Sequence, residues 1–121
     1  MSSVLVVDDH PGMRNTLIDI LEEEGFDVVS AKDGSEAVAR FKDHPFNTVI
    51  MDVMMPGKNG VEAFQEMKRL NQDTKAIFMS AFARDDLQDK AMDGGAVAFL
   101  NKPIDPSQLI NLLEQISSNG E

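Results

Sequence analysis

Short apolar runs that stop abruptly at a charged residue constrain this chain more than any other feature. Val4-Leu-Val-Val7 leads into Asp8-Asp9, Thr48-Val-Ile-Met51 into Asp52, and Val97-Ala-Phe-Leu100 is followed by Lys102-Pro103. Runs this short, apolar and rich in β-branched residues read as strands covered on both faces, the pattern of a parallel sheet. Three acids and one lysine then fall at the C-terminal tips of strands. In an open α/β sheet, ligands bind along that edge. Carboxylates and an ammonium gathered there suit a divalent cation and a phosphoryl group.

Strand-like and helix-like segments alternate along the chain, which is the signature of βα units. The expected strands are roughly 3–7, 27–30, 47–52, 75–79 and 97–100. Met13, Leu17, Ile20 and Leu21 recur at helical spacing, and Gly25 follows as a stop. Asp33-Gly-Ser-Glu36 opens a second helix with an acidic cap and a Glu three residues on. A third starts near Gly60, with Ala63, Phe64 and Met67 on one face. The fourth and weakest pattern begins near Arg84 and ends at Gly94-Gly95. Asp105-Pro-Ser-Gln108 starts a fifth, with Leu109, Leu112, Leu113 and Ile116 as its core stripe. Ser117-Ser-Asn-Gly-Glu121 reads as a frayed tail.

The 121 residues fit one domain spanning 1–121, and 42% hydrophobic content favours a packed globule over disorder. The absence of cysteine excludes a disulfide framework and a thiolate metal site. A net charge of −10 argues against nucleic-acid binding by this segment, because phosphate backbones require clustered Lys and Arg. No signal sequence or membrane-length apolar run is apparent, so the expected location is cytoplasmic, without a membrane partner.

An isolated Asp-Asp pair is ordinarily a solvated turn. Directly after Val4-Leu-Val-Val7 and before a helix, Asp8 and Asp9 instead sit where the chain turns and both side chains can face one pocket. Their mutual repulsion would be relieved by Mg²⁺, which takes one or two carboxylates, waters and a phosphate oxygen. Asp52 must stay at the sheet edge, since entering the core would be costly. There it can act as a nucleophile on phosphorus. The Met54 carbonyl could reach the same cation. Ser80-Ala81 closes the fourth strand with a hydroxyl able to donate to a phosphoryl oxygen. Lys102 can pair with Asp52 before reaction and with phosphoryl oxygen afterwards. Lys102-Pro103 is also a candidate cis peptide. His10 and His44 share no metal-ligand spacing and read as surface or loop residues, although His10 borders the acid pair. The eight methionines read as core filler.

Together, Val4-Leu-Val-Val-Asp-Asp9, Thr48-Val-Ile-Met-Asp52 with Met55-Pro-Gly57 and Gly60, Met79-Ser-Ala81 and Gly95-Ala-Val-Ala-Phe-Leu-Asn-Lys-Pro103 resemble the receiver domain of two-component response regulators, over nearly the whole chain. The resemblance implies an α/β, flavodoxin-like, doubly wound sheet of five parallel strands in the order 2-1-3-4-5, with five helices. It implies Asp52 as phosphoacceptor from a sensor histidine kinase or phosphotransfer protein. Asp8, Asp9, Asp52 and the Met54 carbonyl would hold Mg²⁺, with Asp8 acting partly through water. Lys102 and the Ala81 amide would contact the phosphoryl group. Ser80 would be the switch hydroxyl and Phe99 the aromatic that moves inward with it, re-forming a partner surface on the fourth helix, fifth strand and fifth helix. The bulk of Met54 and Phe82 implies slow self-hydrolysis.

The expected activity is that of a switch and not an enzyme, as a monomer or a weak phosphorylation-dependent dimer. An aspartyl-nucleophile phosphatase would carry a second acid soon after Asp52, and position 54 is Met. A receiver-shaped binding module without phosphorylation is disfavoured by the intact Asp9, Asp52 and Lys102.

Overall fold

The computed structural model describes residues 3–44, 46–54, 59–81 and 85–119. Strands and helices alternate as β1 (Ser3–Val7), α1 (Pro11–Glu23), β2 (Asp27–Ala31), α2 (Gly34–Asp43), β3 (Thr48–Asp52), α3 (Gly60–Leu70), β4 (Lys75–Ser80), α4 (Asp85–Asp93), β5 (Ala98–Asn101) and α5 (Pro106–Asn119). The five strands form one parallel sheet in the order β2-β1-β3-β4-β5. This is the flavodoxin-like order, and its direction of winding reverses between β1 and β3.

The period of two along each strand divides the core into layers. Leu5, Val7, Val49, Met51, Ala76 and Phe78 point to one face, where Ala37, Phe41, Phe64, Met67 and Ala91 of α2, α3 and α4 cover them. Val4, Val6, Ile50, Ile77, Met79 and Leu100 point to the other, against Leu17 and Leu21 of α1 and Leu109 and Leu113 of α5. Burial of Leu- and Phe-sized side chains stabilises by about 1.5–3 kcal/mol each, so the sheet is held from both sides.

Helix starts follow local chemistry. Asp33 and Asn59 accept the amides of Glu36 and Glu62, and Asp105 accepts that of Ser107. His10 caps α1 through Nδ1, 3.3 Å from the Met13 amide, so its role is structural at the helix start. Gly25 and Gly95 take positive φ (90° and 101°) after α1 and α4, a conformation that other residues adopt at a cost.

Several boundaries differ from the sequence reading: β2 ends one residue later, at Ala31, β3 begins one later, at Thr48, and β4 ends one later, at Ser80. α5 continues through Ser117, Ser118 and Asn119, which composition alone assigns to a frayed tail. The backbone ladder propagates beyond the core-facing stripe, because extending an existing helix is far easier than nucleating one. β5 is shifted one residue later than 97–100, and Val97 is left half-exposed just before it. The proposed start of the fourth helix at Arg84 lies outside the described residues, as do Phe82 and the turn around Met55-Pro-Gly57. The Lys102-Pro103 peptide is cis.

Candidate functional site

The side-chain period explains which tips converge. Val4 and Val6, Ile50, and Ala98 and Leu100 face the α1–α5 layer. Two residues further along the same parity come Asp8, Asp52 and Lys102. Ladder hydrogen bonds continue past the strand ends and hold this alignment: Asp8 donates to the Ala31 carbonyl (3.2 Å), Val53 to Met79 (2.9 Å) and Lys102 to Ser80 (2.8 Å). Asp8 and Asp52 thus flank the point where the sheet order reverses.

Lys102 joins them. Its Nζ lies 2.8 Å from Asp52 Oδ2 and 2.9 Å from Asp8 Oδ2. The sequence suggests the Asp52 partner; the Asp8 partner emerges only from the fold. Strands are spaced about 4.8 Å apart, so reaching from β5 over β4 to β3 and β1 requires a long side chain. Asp8 is fully buried, Asp52 is 6% exposed and Asp9 lies open to solvent. One carboxylate oxygen from each of Asp8, Asp9 and Asp52 falls within a cluster whose members lie within 4.8 Å of one another. That arrangement of hard oxygen donors, one of them facing solvent, fits Mg²⁺, which keeps several of its waters.

The electrostatics follow from this burial. Desolvation pushes the Asp52 carboxyl above the ordinary aspartate value, with a smaller upward contribution from the Asp8 charge. The Lys102 ammonium and the Met54 amide, which donates to Asp52 Oδ1 at 2.9 Å, pull the other way without cancelling it. Burial acts to lower Lys102, but its contacts with Asp52 and Asp8 outweigh that and hold the ammonium above its usual range.

The remaining residues singled out from the sequence surround this centre. Ser80, fully buried, ends β4 beside β3, where Asp52 pairs in register with Met79. Ala81 follows it, exposed. Phe99 pairs with Phe78 on β5 and packs, half-buried, against the α2–α4 layer, the face to which the strand period also directs Ser80. The Met54 side chain is 46% exposed.

Gly60 fits tightly behind the site. A Cβ there would lie 2.8 Å from the Asp52 carbonyl oxygen, 3.0 Å from Val53 Cα and 3.1 Å from Phe78 Cε1. Sequence reasoning overlooked Arg14, whose Nη1 donates to the Asp8 carbonyl oxygen at 2.6 Å. A signal was present: α1 has no acid in its first turn, and a cation there opposes the helix dipole.

An open parallel sheet with three acids and a lysine gathered at its switch point defines a doubly wound α/β protein with a charged site at the carboxyl edge of its strands. Residues 4–114 match the response regulator receiver domain, and the chain belongs to that family. It is 36% identical over 115 residues to the chemotaxis protein CheY of Thermotoga maritima, covering 94% of this chain and 96% of that one. It is 40% identical over 114 residues to the transcriptional regulatory protein PdtaR of Mycobacterium tuberculosis, covering 92% of this chain and 54% of that protein. Among solved structures, a CheY-like receiver domain from Methanospirillum hungatei superposes with a TM-score of 0.94 at 25% identity, covering 99% and 96% of the two chains. A CheX–CheY–BeF3–Mg²⁺ complex from Borrelia burgdorferi gives 0.87 at 28% identity, covering 95% and 88%. The protein is therefore a receiver domain of two-component response regulators, a signal-transduction module. Among the described residues, no helix is long and apolar enough to cross a membrane.

Proposed function

We propose that this chain accepts one phosphoryl group on Asp52, with Mg²⁺ bound, and acts as a switch and not an enzyme. The observation that carries this reading is the pairing of Asp52 with Lys102 at 2.8 Å inside a cluster shared with Asp8 and Asp9. The Borrelia burgdorferi relative, solved with BeF3 and Mg²⁺, supports the same chemistry for this pocket.

The donor is a phosphohistidine on a sensor kinase or phosphotransfer protein. Asp52 Oδ1 is held by the Met54 amide, which orients the carboxylate for in-line attack on phosphorus. Asp9, Asp52 and the Met54 carbonyl would hold the cation, with Asp8 acting partly through water. Bound Mg²⁺ supplies positive charge for the transferring oxygens. Lys102 exchanges its Asp52 contact for a phosphoryl oxygen and retains Asp8. The Ala81 amide and Ser80 hydroxyl donate to the remaining oxygens. Recruitment of Ser80 vacates space that Phe99 fills, and the change reaches the α4–β5–α5 surface, where Met92 and Val97 are exposed apolar groups suited to a partner.

The test is incubation with acetyl phosphate and Mg²⁺ followed by intact-mass spectrometry. Wild type gains one phosphoryl group without sustained phosphate release; Asp52→Asn gains none. Uptake by Asp52→Asn at the wild-type level would refute the acceptor. Many turnovers per chain would mark an enzyme.

A further inference from the structure

Asp8 and Asp9 occupy the same turn but are held in different ways. Every polar group of Asp8 is engaged. Its amide donates to Ala31, Oδ1 accepts the His10 amide at 2.8 Å, Oδ2 accepts Lys102, and its carbonyl oxygen accepts Arg14. The Asp9 side chain makes no hydrogen bond or ion pair among the described residues, and it is exposed. Its direction therefore comes from the backbone alone.

That backbone has a specific fastening. The carbonyl of Asp8 and the amide of Asp9 belong to one rigid peptide plane. Arg14 Nη1 grips the carbonyl end of the plane at 2.6 Å, while the Arg14 amide donates to the His10 carbonyl at 3.0 Å. One residue in the first turn of α1 thus ties down both ends of the Asp8–His10 turn. A charged donor makes the stronger class of hydrogen bond. The cost of placing a cation at a helix N-terminus and close to a cation site requires an explanation, and fixing the plane supplies one.

We infer that Arg14 is a positioning residue: by clamping the Asp8–Asp9 peptide plane, it aims the otherwise untethered Asp9 carboxylate into the metal cluster. This rests on the Mg²⁺ reading of the pocket. It differs from a purely electrostatic role in sign. A cation beside the acids repels Mg²⁺, so its removal should tighten binding if charge alone matters. If the clamp matters, removal should weaken binding.

The experiment uses the full chain and Arg14→Met, which keeps the aliphatic stem but loses both charge and donor. Mg²⁺ affinity is read by isothermal titration calorimetry, since the chain has no tryptophan or tyrosine to report by fluorescence. The Kd is expected to rise about tenfold, as for loss of an outer-shell partner of a metal ligand, and Arg14→Lys should recover most of the loss. In metal-free protein, the ¹⁵N order parameter of the Asp9 amide is expected to fall from about 0.85 toward 0.6 in the Met variant, with core amides unchanged. Arg14→Leu, which likewise lacks charge and donor, serves the same purpose if the Met variant does not fold. Unchanged or tighter Mg²⁺ binding, or an equally rigid Asp9 amide, overturns the inference. The relaxation measurement needs no metal. Failure of the wild type to bind Mg²⁺ therefore counts against the functional reading, while Asp9 rigidity still decides the role of Arg14.

Discussion

β2 and β3 are the same length, run in the same direction and contribute to the same sheet, yet only β3 ends on a buried carboxylate. β3 is buried at every position from Thr48 to Asp52. β2 alternates between exposed and half-buried positions, with Val29 37% exposed, and ends on Ala31. The difference is one of place. β2 is the sheet edge and pairs only with β1, whereas β3 lies beside the point where the winding reverses. A charge at the tip of β3 is surrounded by neighbouring strand tips and loses much of its water. A charge on β2 keeps its water, as exposed Asp27 does. Desolvation at a central tip, more than residue type, makes Asp52 a poised group.

Removing the cation at that tip should have the largest effect. Lys102→Met leaves Asp8, fully buried, and Asp52 facing each other without a counter-charge. The expected loss is about 3 kcal/mol of unfolding free energy in metal-free buffer, the scale for stripping one partner from a buried ion pair. On β2, Val29→Thr should stay within about 0.5 kcal/mol, as exposed substitutions do. Urea titration of both variants measures the contrast. If Lys102→Met costs no more than a surface pair, under about 1 kcal/mol, the central tip is solvated after all and the contrast with β2 collapses.

A smaller effect concerns the shape behind β3. At Gly60 the need is close approach: an added methyl would meet the Asp52 carbonyl and Val53 backbone, which have little freedom to yield. Gly60→Ala should cost about 1–3 kcal/mol by overpacking, despite alanine's better helix propensity. It should also weaken phosphoryl uptake by shifting the segment that carries Asp52 and Val53. Thermal unfolding together with uptake from acetyl phosphate tests both effects. An alanine variant as stable as wild type would mean that α3 can slide away from β3 without cost.

The contrast between β2 and β3 also marks what the sequence reveals. Continuous apolar runs against alternating ones identify the buried strands, and the acid or lysine ending each run locates the site edge. The parallel order and the meeting of Asp8, Asp9, Asp52 and Lys102 follow from those signals and the family resemblance. Interactions that depend on reach were not legible. The Lys102–Asp8 pair joins residues 94 positions apart, and no local pattern encodes it. The Arg14 contact spans only six positions, but it runs from a side chain to a carbonyl oxygen, a group that every residue offers. The C-terminal extent of α5 was hidden because Ser and Asn read as tail residues until the preceding Leu113 is seen anchored in the core.

The smallest effect, and the sharpest probe of desolvation at β3, is pH dependence. The Asp52 carboxyl lies above its ordinary value of 3.8 in the folded chain, mainly through burial. The native state therefore holds its proton at pH values where the unfolded chain has released it. That contribution to stability is complete below about pH 3.8 and is lost as pH rises through the folded-state value. Asp52→Asn has no such titration and keeps an oxygen able to accept from Lys102. In metal-free protein, the variant should gain on wild type as pH rises across this window, then hold a constant lead. Lys102 titrates at the opposite end. Its stabilisation is complete below about pH 10.5 and is lost only as pH rises through its raised folded-state value, so it adds no slope to the acid window. Paired urea titrations from pH 4 to 8 read the difference directly. A lead that shrinks with rising pH would mean that the Lys102 and Met54 contacts outweigh burial, and that β3 holds its carboxylate no less comfortably than the sheet edge would.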